Sequence, residues 1–190
     1  MKRKIILSLF VLLTLFVVTG CGNKENSKEN NDVKNNGKSI VLYFSATGTT
    51  KTIAERIADK SNSDILEIIP KVKYTKDDLN YNSDCRANRE QNDSSARPEI
   101  ENIIDISNYD VIYLGYPIWW GTNPKIILTL LDTYDFTDKT IIPFCTSGST
   151  GISGSVSDLR NYKPNLNIKN GQRFSLSDSD EMIVNFIHNN

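Results

Sequence analysis

Histidine is almost missing from this chain of 190 residues. The only one, His188, lies near the C-terminus, and the three cysteines form no CxxC pair and no Cys/His cluster. That removes a zinc site, a Cys–His dyad and a histidine base from the candidate chemistry. Both common phosphate fingerprints are also missing: no glycine precedes Gly48 at the spacing of GxxxxGK[ST], and no GxGxxG occurs. Neither sign of charge dominates, with 22 Lys+Arg against 23 Asp+Glu and a formal net of −1, so nothing points to nucleic acid. The longest apolar run, residues 5–18, falls short of the roughly 20 residues of a comfortable membrane span.

That short apolar run is informative in its own right. It follows Lys2, Arg3 and Lys4 and leads through Val18, Thr19 and Gly20 directly into Cys21. The pattern reads as a secretory signal over residues 1–20 and resembles a bacterial lipoprotein lipobox. The resemblance implies cleavage before Cys21, a lipid on its sulfur, and an extracytoplasmic protein anchored to the cell membrane. Without residues 1–20 the chain carries 19 Lys+Arg against 23 Asp+Glu, a mildly acidic balance. Residues 22–38 are rich in Asn, Lys and Glu with Val33 as the one aliphatic residue. Such a stretch cannot bury a core, so residues 21–38 read as a lipidated cysteine and a disordered tether reaching roughly 20–25 Å.

Residues 39–190 read as the folded domain. Apolar runs predict strands at 39–44, 65–69, 111–115, 140–145 and 172–176. Helical spacing predicts helices over 49–60, from Pro124 with Asn123 as its cap, from Ser155 with Asp158 closing a capping box, and over 179–188, where Met182, Ile183, Phe186 and Ile187 are expected inside. Alternating strands and helices predict a parallel sheet covered on both faces. Pro143 falls inside the fourth strand, which requires a bulge there or a different boundary. Residues 71–110 occupy the place of a crossover helix, yet their middle is polar. A loop of that length is usually functional or mobile. Arg86, Arg89 and Arg97 within it either meet a cofactor edge or acidic partner, or belong to a solvated loop. Cys85 and Cys145 either pair as a disulfide, as an extracytoplasmic setting permits, or are free thiols with one buried.

Three loops leave the C-terminal ends of strands one, three and four, the edge at which open parallel sheets bind ligands. The first, Ser45-Ala46-Thr47-Gly48-Thr49-Thr50, has four hydroxyls and one glycine at a strand-to-helix turn. One hydroxyl suffices for a helix cap, so four point to a phosphate held by hydroxyls and backbone N–H groups. The second, Pro117-Ile118-Trp119-Trp120-Gly121, offers an indole to a flat ring; which Trp does so stays open, as does a role in core packing. Backbone groups near Pro117 and Ile118 are expected at the reactive ring edge. The third, Thr146 to Gly151, with Ser147, Gly148 and Ser149, allows close approach of a ligand to backbone. A phosphate and a flat ring at one sheet edge, without a dinucleotide fingerprint, narrow the ligand to FMN.

From about Lys38 onward the chain resembles the flavodoxins. The first loop looks like their phosphate loop, Trp119-Trp120-Gly121 like the loop that stacks on the flavin, and Thr146–Gly151 like the second flanking loop. The resemblance implies a flavodoxin-like α/β three-layer sandwich with a five-stranded parallel sheet in the order 2-1-3-4-5. It also implies an FMN-binding electron carrier, its redox partner being a protein or a small acceptor. The third loop departs from many flavodoxins in having no aromatic, which leaves the Trp pair as the one aromatic wall. A flavin-dependent reductase of a quinone or similar acceptor, and a non-catalytic flavin-binding lipoprotein, are the alternatives.

Overall fold

The computed structural model describes residues 37–190; the signal segment, Cys21 and the tether up to residue 36 lie outside the described residues. The elements are β1 (Ser39–Tyr43), α1 (Thr49–Ser61), β2 (Asp64–Glu67), α2 (Arg86–Asn92), β3 (Val111–Pro117), α3 (Lys125–Thr133), β4 (Thr140–Thr146), α4 (Ser153–Tyr162), β5 (Asn167–Ile168), β6 (Gln172–Phe174) and α5 (Asp180–His188). Every strand pair is parallel, and the order is β2-β1-β3-β4-β5, with β6 also on β4. Residues alternate between the two faces of each strand. Ile40, Leu42, Ile112, Leu114 and Ile141 pack with Ile126, Ile127, Leu130, Val156 and Leu159 of α3 and α4. Val41, Tyr43, Tyr113, Ile142 and Phe144 pack with Ile53 and Ile57 of α1 and Ile183, Phe186 and Ile187 of α5. Two separate cores on one sheet make the three-layer sandwich.

The edge beside β4 differs from the five strands expected. Two short strands share the fifth position, β5 on Thr140 and Ile141, β6 on Phe144 to Thr146. Pro143 sits opposite the gap between them. Lys169 N–H donates to Ile141 O at 2.8 Å, and backbone groups two residues apart point to the same neighbour. The missing N–H of Pro143 therefore faces the interrupted edge, where no ladder bond is lost. A Cβ on Gly171, in that gap, would meet Pro143 O at 2.6 Å, so only glycine fits there. Neither a bulge nor a new boundary is needed.

Other expectations are corrected at helix ends. Pro124, extended at φ −60° and ψ 146°, is the N-cap of α3, while buried Asn123 donates to the Pro124 carbonyl instead of capping. Helix α4 begins at Ser153 without a side-chain cap, and Asp158 accepts from Thr122 Oγ1 at 2.6 Å rather than closing a capping box. Met182 is 40% exposed, because it lies beside the buried stripe of α5 and not on it.

Residues 71–99 form an excursion closed at its base. Lys71 N–H donates to Glu99 O at 2.9 Å and Glu101 N–H to Ile69 O at 2.8 Å. The excursion holds α2 and a 3-10 turn at Asp77–Leu79. Its arginines are all engaged within the protein: Arg86 with Glu90 at 2.6 Å and over the Tyr74 ring at 4.1 Å, Arg89 with Asp84 at 3.3 Å, Arg97 with Asp132 at 2.8 Å. Arg86 and Arg89 pair within the excursion, Arg89 at its exposed surface, and Arg97 fastens it to Asp132 of α3. Cys85 and Cys145 are both buried free thiols, which excludes the disulfide. No helix among the described residues is long and apolar enough to cross a membrane.

Candidate functional site

A cleft of about 690 Å³ opens at the C-terminal edge of the sheet. Its first wall is the turn between β1 and α1. Ser45 Oγ accepts from Gly48 N–H at 3.1 Å and folds that turn back on itself. Gly48, at φ 92°, is the N-cap of α1 and carries no side-chain cap. The first helical bond runs from Thr52 N–H to Gly48 O at 3.1 Å. The N–H groups of Thr49, Thr50 and Lys51 therefore have no helical partner and sit at the positive end of a 13-residue helix. The four hydroxyls divide by role. Ser45 shapes the turn, and buried Thr50 joins Thr146 Oγ1 at 2.8 Å, tying the first loop to the third. Thr47 and Thr49 line the cleft beside Ala46.

The second wall is a two-residue turn. Trp119 N–H donates to Thr122 O at 2.9 Å, and Thr122 N–H returns to Trp119 O at 3.1 Å. Between them Trp120 has φ 49° and Gly121 φ 82°. Two successive positive φ values define a type I′ turn, whose first central position normally holds Asn, Asp or Gly. A bulky residue held there stores strain on the order of 1–3 kcal/mol. The two indoles are not equivalent. Trp119 is half-buried, edge-on to Phe44 at 5.6 Å and to Tyr74 at 5.1 Å. Trp120 stands at the turn tip, 48% exposed, and both line the cleft. Pro117 and Ile118 also line it, but Ile118 N–H is committed to Thr146 O at 2.9 Å and Trp119 N–H to the turn. The N–H groups of Ile118 and Trp119 are thus spent within the protein, and the loop lines the cleft through Pro117, Ile118, Trp119 and Trp120.

The third loop contributes Thr146, Ser147 and Gly148. Ser147 Oγ donates to Thr150 O, and Arg173 Nη1 to Ser147 O at 3.2 Å, which closes the loop on itself and on β6. Ser45, Gly48, Gly121, Ser149 and Gly151 do not line the cleft; the first three shape the turns whose neighbours do. Two further groups line it that sequence reasoning missed. Phe174 ends β6 and Ser175 and Leu176 follow it, and Leu79, Tyr81 and Ala87 come from the excursion. Tyr81, 71% exposed, stands edge-on to Trp120 at 6.3 Å. The Trp pair is therefore not the only aromatic at this edge. A Tyr in an otherwise polar segment was the available signal for it.

None of the lining residues carries a charge. Three wholly or partly buried groups behind the walls are shifted towards their neutral forms. Burial pushes the Cys145 thiol up to about 12, with Arg173 opposing. Burial, and then the hydrogen bond to Glu90, raises Tyr74 above the usual tyrosine range. Burial raises Tyr116 in the same way, with Ser155 donating to its hydroxyl at 3.0 Å. No group of three His, Cys, Asp or Glu among the described residues is placed to hold a metal ion. The cleft is a neutral slot with an uncapped helix start in one wall and an exposed indole in another.

The flavodoxin family profile matches residues 38–190. This chain belongs to the flavodoxin family. A candidate flavoprotein of Bacteroides eggerthii is 38% identical to this flavodoxin, with a TM-score of 0.77 over 80% of this chain and 96% of that one. A second, from Bacteroides uniformis, is 39% identical, with a TM-score of 0.76 over 80% and 97%. A flavoprotein of Lactobacillus acidophilus, solved in complex with FMN, is 30% identical, with a TM-score of 0.62 over 72% and 93%. No curated protein matches the chain.

Proposed function

We propose that this flavodoxin binds FMN in the cleft and acts as an electron carrier, held outside the cytoplasm by a lipid on Cys21. The observation that carries the reading is the pairing, in one neutral cleft, of an uncapped helix start with two unspent threonine hydroxyls and an exposed, strained indole. The donor chemistry fits FMN. Partnerless N–H groups and the Thr47 and Thr49 hydroxyls suit a phosphate without any Lys or Arg. Trp120 suits the ring, since Trp119 is already enclosed by Phe44 and Tyr74. The volume lies within the roughly 300–1,000 Å³ of small-molecule sites. The Lactobacillus acidophilus relative with FMN supports the same ligand.

When bound, FMN supplies one- and two-electron chemistry through its ring. The chain orients and insulates it. A lining without a positive side chain disfavours added negative charge in the cleft, which is expected to keep the reduction potential low. No side chain in the cleft offers a histidine or carboxylate base, and none is needed for electron transfer.

Purification from flavin-replete cells tests the reading. Equimolar FMN by mass analysis of the released cofactor, with visible absorbance bleached by a chemical reductant and not by NAD(P)H alone, is the expected result. FAD as the dominant species would overturn the ligand assignment, and rapid reduction by NAD(P)H would make the protein a reductase. For the anchor, Cys21→Ser is expected to move the protein from the membrane fraction to the soluble one; unchanged membrane attachment would contradict lipidation at Cys21.

A further inference from the structure

The excursion that carries α2 poses a question of economy. Helix α2 has seven residues and buries only Ala87, so it adds little to the core. What it does supply is Gln91. The Gln91 Nε2 group donates to Trp119 O and to Asn123 O, both at 3.2 Å. Those carbonyls flank the strained turn on its two sides, and one side-chain amide joins them. Two carbonyls facing one amide fix its orientation, since a flipped amide would set oxygen against oxygen. The orientation has a cost: Gln91 Oε1 is left buried without a partner, the one such side-chain atom among the described residues. A buried acceptor left unpaired is unfavourable, and here its nitrogen does the holding.

We infer that Gln91 is a positioning residue, which braces the Trp119–Thr122 turn so that Trp120 is presented to the flavin ring. The inference rests on the FMN reading above. A positive φ at a bulky residue persists only where the surroundings over-determine it. Four residues from outside the turn do so. Asp158 of α4 accepts from Thr122 Oγ1 at 2.6 Å, Phe44 and Tyr74 enclose Trp119, and Gln91 alone grips both ends. Helix α2 is itself pinned. Glu90 accepts from Arg86 Nε at 2.6 Å and from the Tyr74 hydroxyl, whose ring lies edge-on to Trp119 at 5.1 Å. Cleft-lining Leu79, Tyr81 and Ala87 belong to the same excursion, so brace and lining are one unit. The long crossover thus acts as a support for ring binding, separate from the phosphate wall.

The test uses the full chain with Gln91→Leu, which removes both donors at similar size, and Gln91→Glu, which sets an acceptor against two carbonyls. Amide hydrogen exchange of Trp119 and Thr122 is expected to accelerate roughly tenfold in the Leu variant and more in the Glu variant, with β1 and β3 amides unchanged. FMN and riboflavin are expected to weaken by the same factor, roughly tenfold, so that their affinity ratio holds. Unchanged exchange at the turn would overturn the inference, as would equal acceleration across the sheet or weakening of FMN alone. If the parent chain takes up no flavin, the FMN reading fails, while the exchange measurement still decides whether Gln91 holds the turn.

Discussion

Two walls of one cleft are built in opposite ways. The turn from Ser45 to Thr50 is held largely by its own residues: Ser45 bonds Gly48 three positions on, and Gly48 starts the helix. The turn from Trp119 to Thr122 is locally unfavourable and is held from elsewhere, by Gln91, Asp158, Phe44 and Tyr74. A wall made of local chemistry needs no strain, because hydroxyls, glycine and a helix start already suit an anion. A wall that must hold an exposed indole at the surface is placed against its own preference and fixed by long-range contacts. The difference predicts separable defects.

The largest expected effect is on the first wall. Thr47→Ala combined with Thr49→Ala removes two hydroxyls, each worth about 1.5–3 kcal/mol to a charged ligand group. FMN affinity is expected to fall by at least roughly a hundredfold, at about tenfold per 1.4 kcal/mol, while riboflavin binding stays as in the parent. Equal loss of both ligands in titration calorimetry would make the loop's role structural. Trp120→Ala comes next. Losing its apolar contact costs about 1.5–3 kcal/mol, so FMN and riboflavin should weaken together by roughly ten- to a hundredfold. Unchanged quenching of flavin fluorescence in Trp120→Ala would shift the ring to Trp119.

A smaller effect reads the strain itself. Trp120→Asn places at the turn a residue that tolerates its φ of 49°. Unfolding by urea without flavin is expected to show a gain of about 1 kcal/mol, with flavin binding weakened. A stability loss would mean that the turn holds no strain to release. The smallest effect concerns the fastening of the excursion. At Asp132, partial burial works to raise the carboxyl, but Lys163, Tyr162 and Arg97 outweigh it and hold it well below the usual range. A lowered folded value stabilises above the ordinary carboxylate pKa near 3.8 and is lost as pH falls below it. Asp132→Asn should therefore flatten the acid side of the stability curve below about pH 4 and leave neutral ring binding intact. An unchanged acid limb would assign that loss to other carboxylates.

How far the sequence is legible follows the same division. The alternation of strands and helices, the first loop and the third loop follow from periodicity and hydroxyl-rich turns, whose causes lie within a few residues, whereas the sheet order came only with the flavodoxin resemblance. Pro143 looked anomalous because its tolerance depends on Gly171 and on a gap between β5 and β6, which a single strand's sequence does not contain. Asp158 looked like a capping residue because its real partner, Thr122, is 36 positions away. Trp120 and Trp119 were indistinguishable until their surroundings were known. Tyr81, Leu79 and Ala87 escaped notice because the excursion's polar composition hides the few apolar residues that reach the cleft. Ser175 and Leu176 were read as strand, although β6 ends at Phe174 and releases them to the cleft.

One comparison tests the central claim most directly: the affinity of the unaltered protein for FMN set against riboflavin, both measured by titration at the same ionic strength. An uncapped helix start with two threonine hydroxyls should make FMN the tighter ligand by roughly a hundredfold or more, with the emission of both quenched beside Trp120. Equal affinity for the two would contradict a phosphate site at Thr47 and Thr49, and with it the reading of the cleft as a place for FMN.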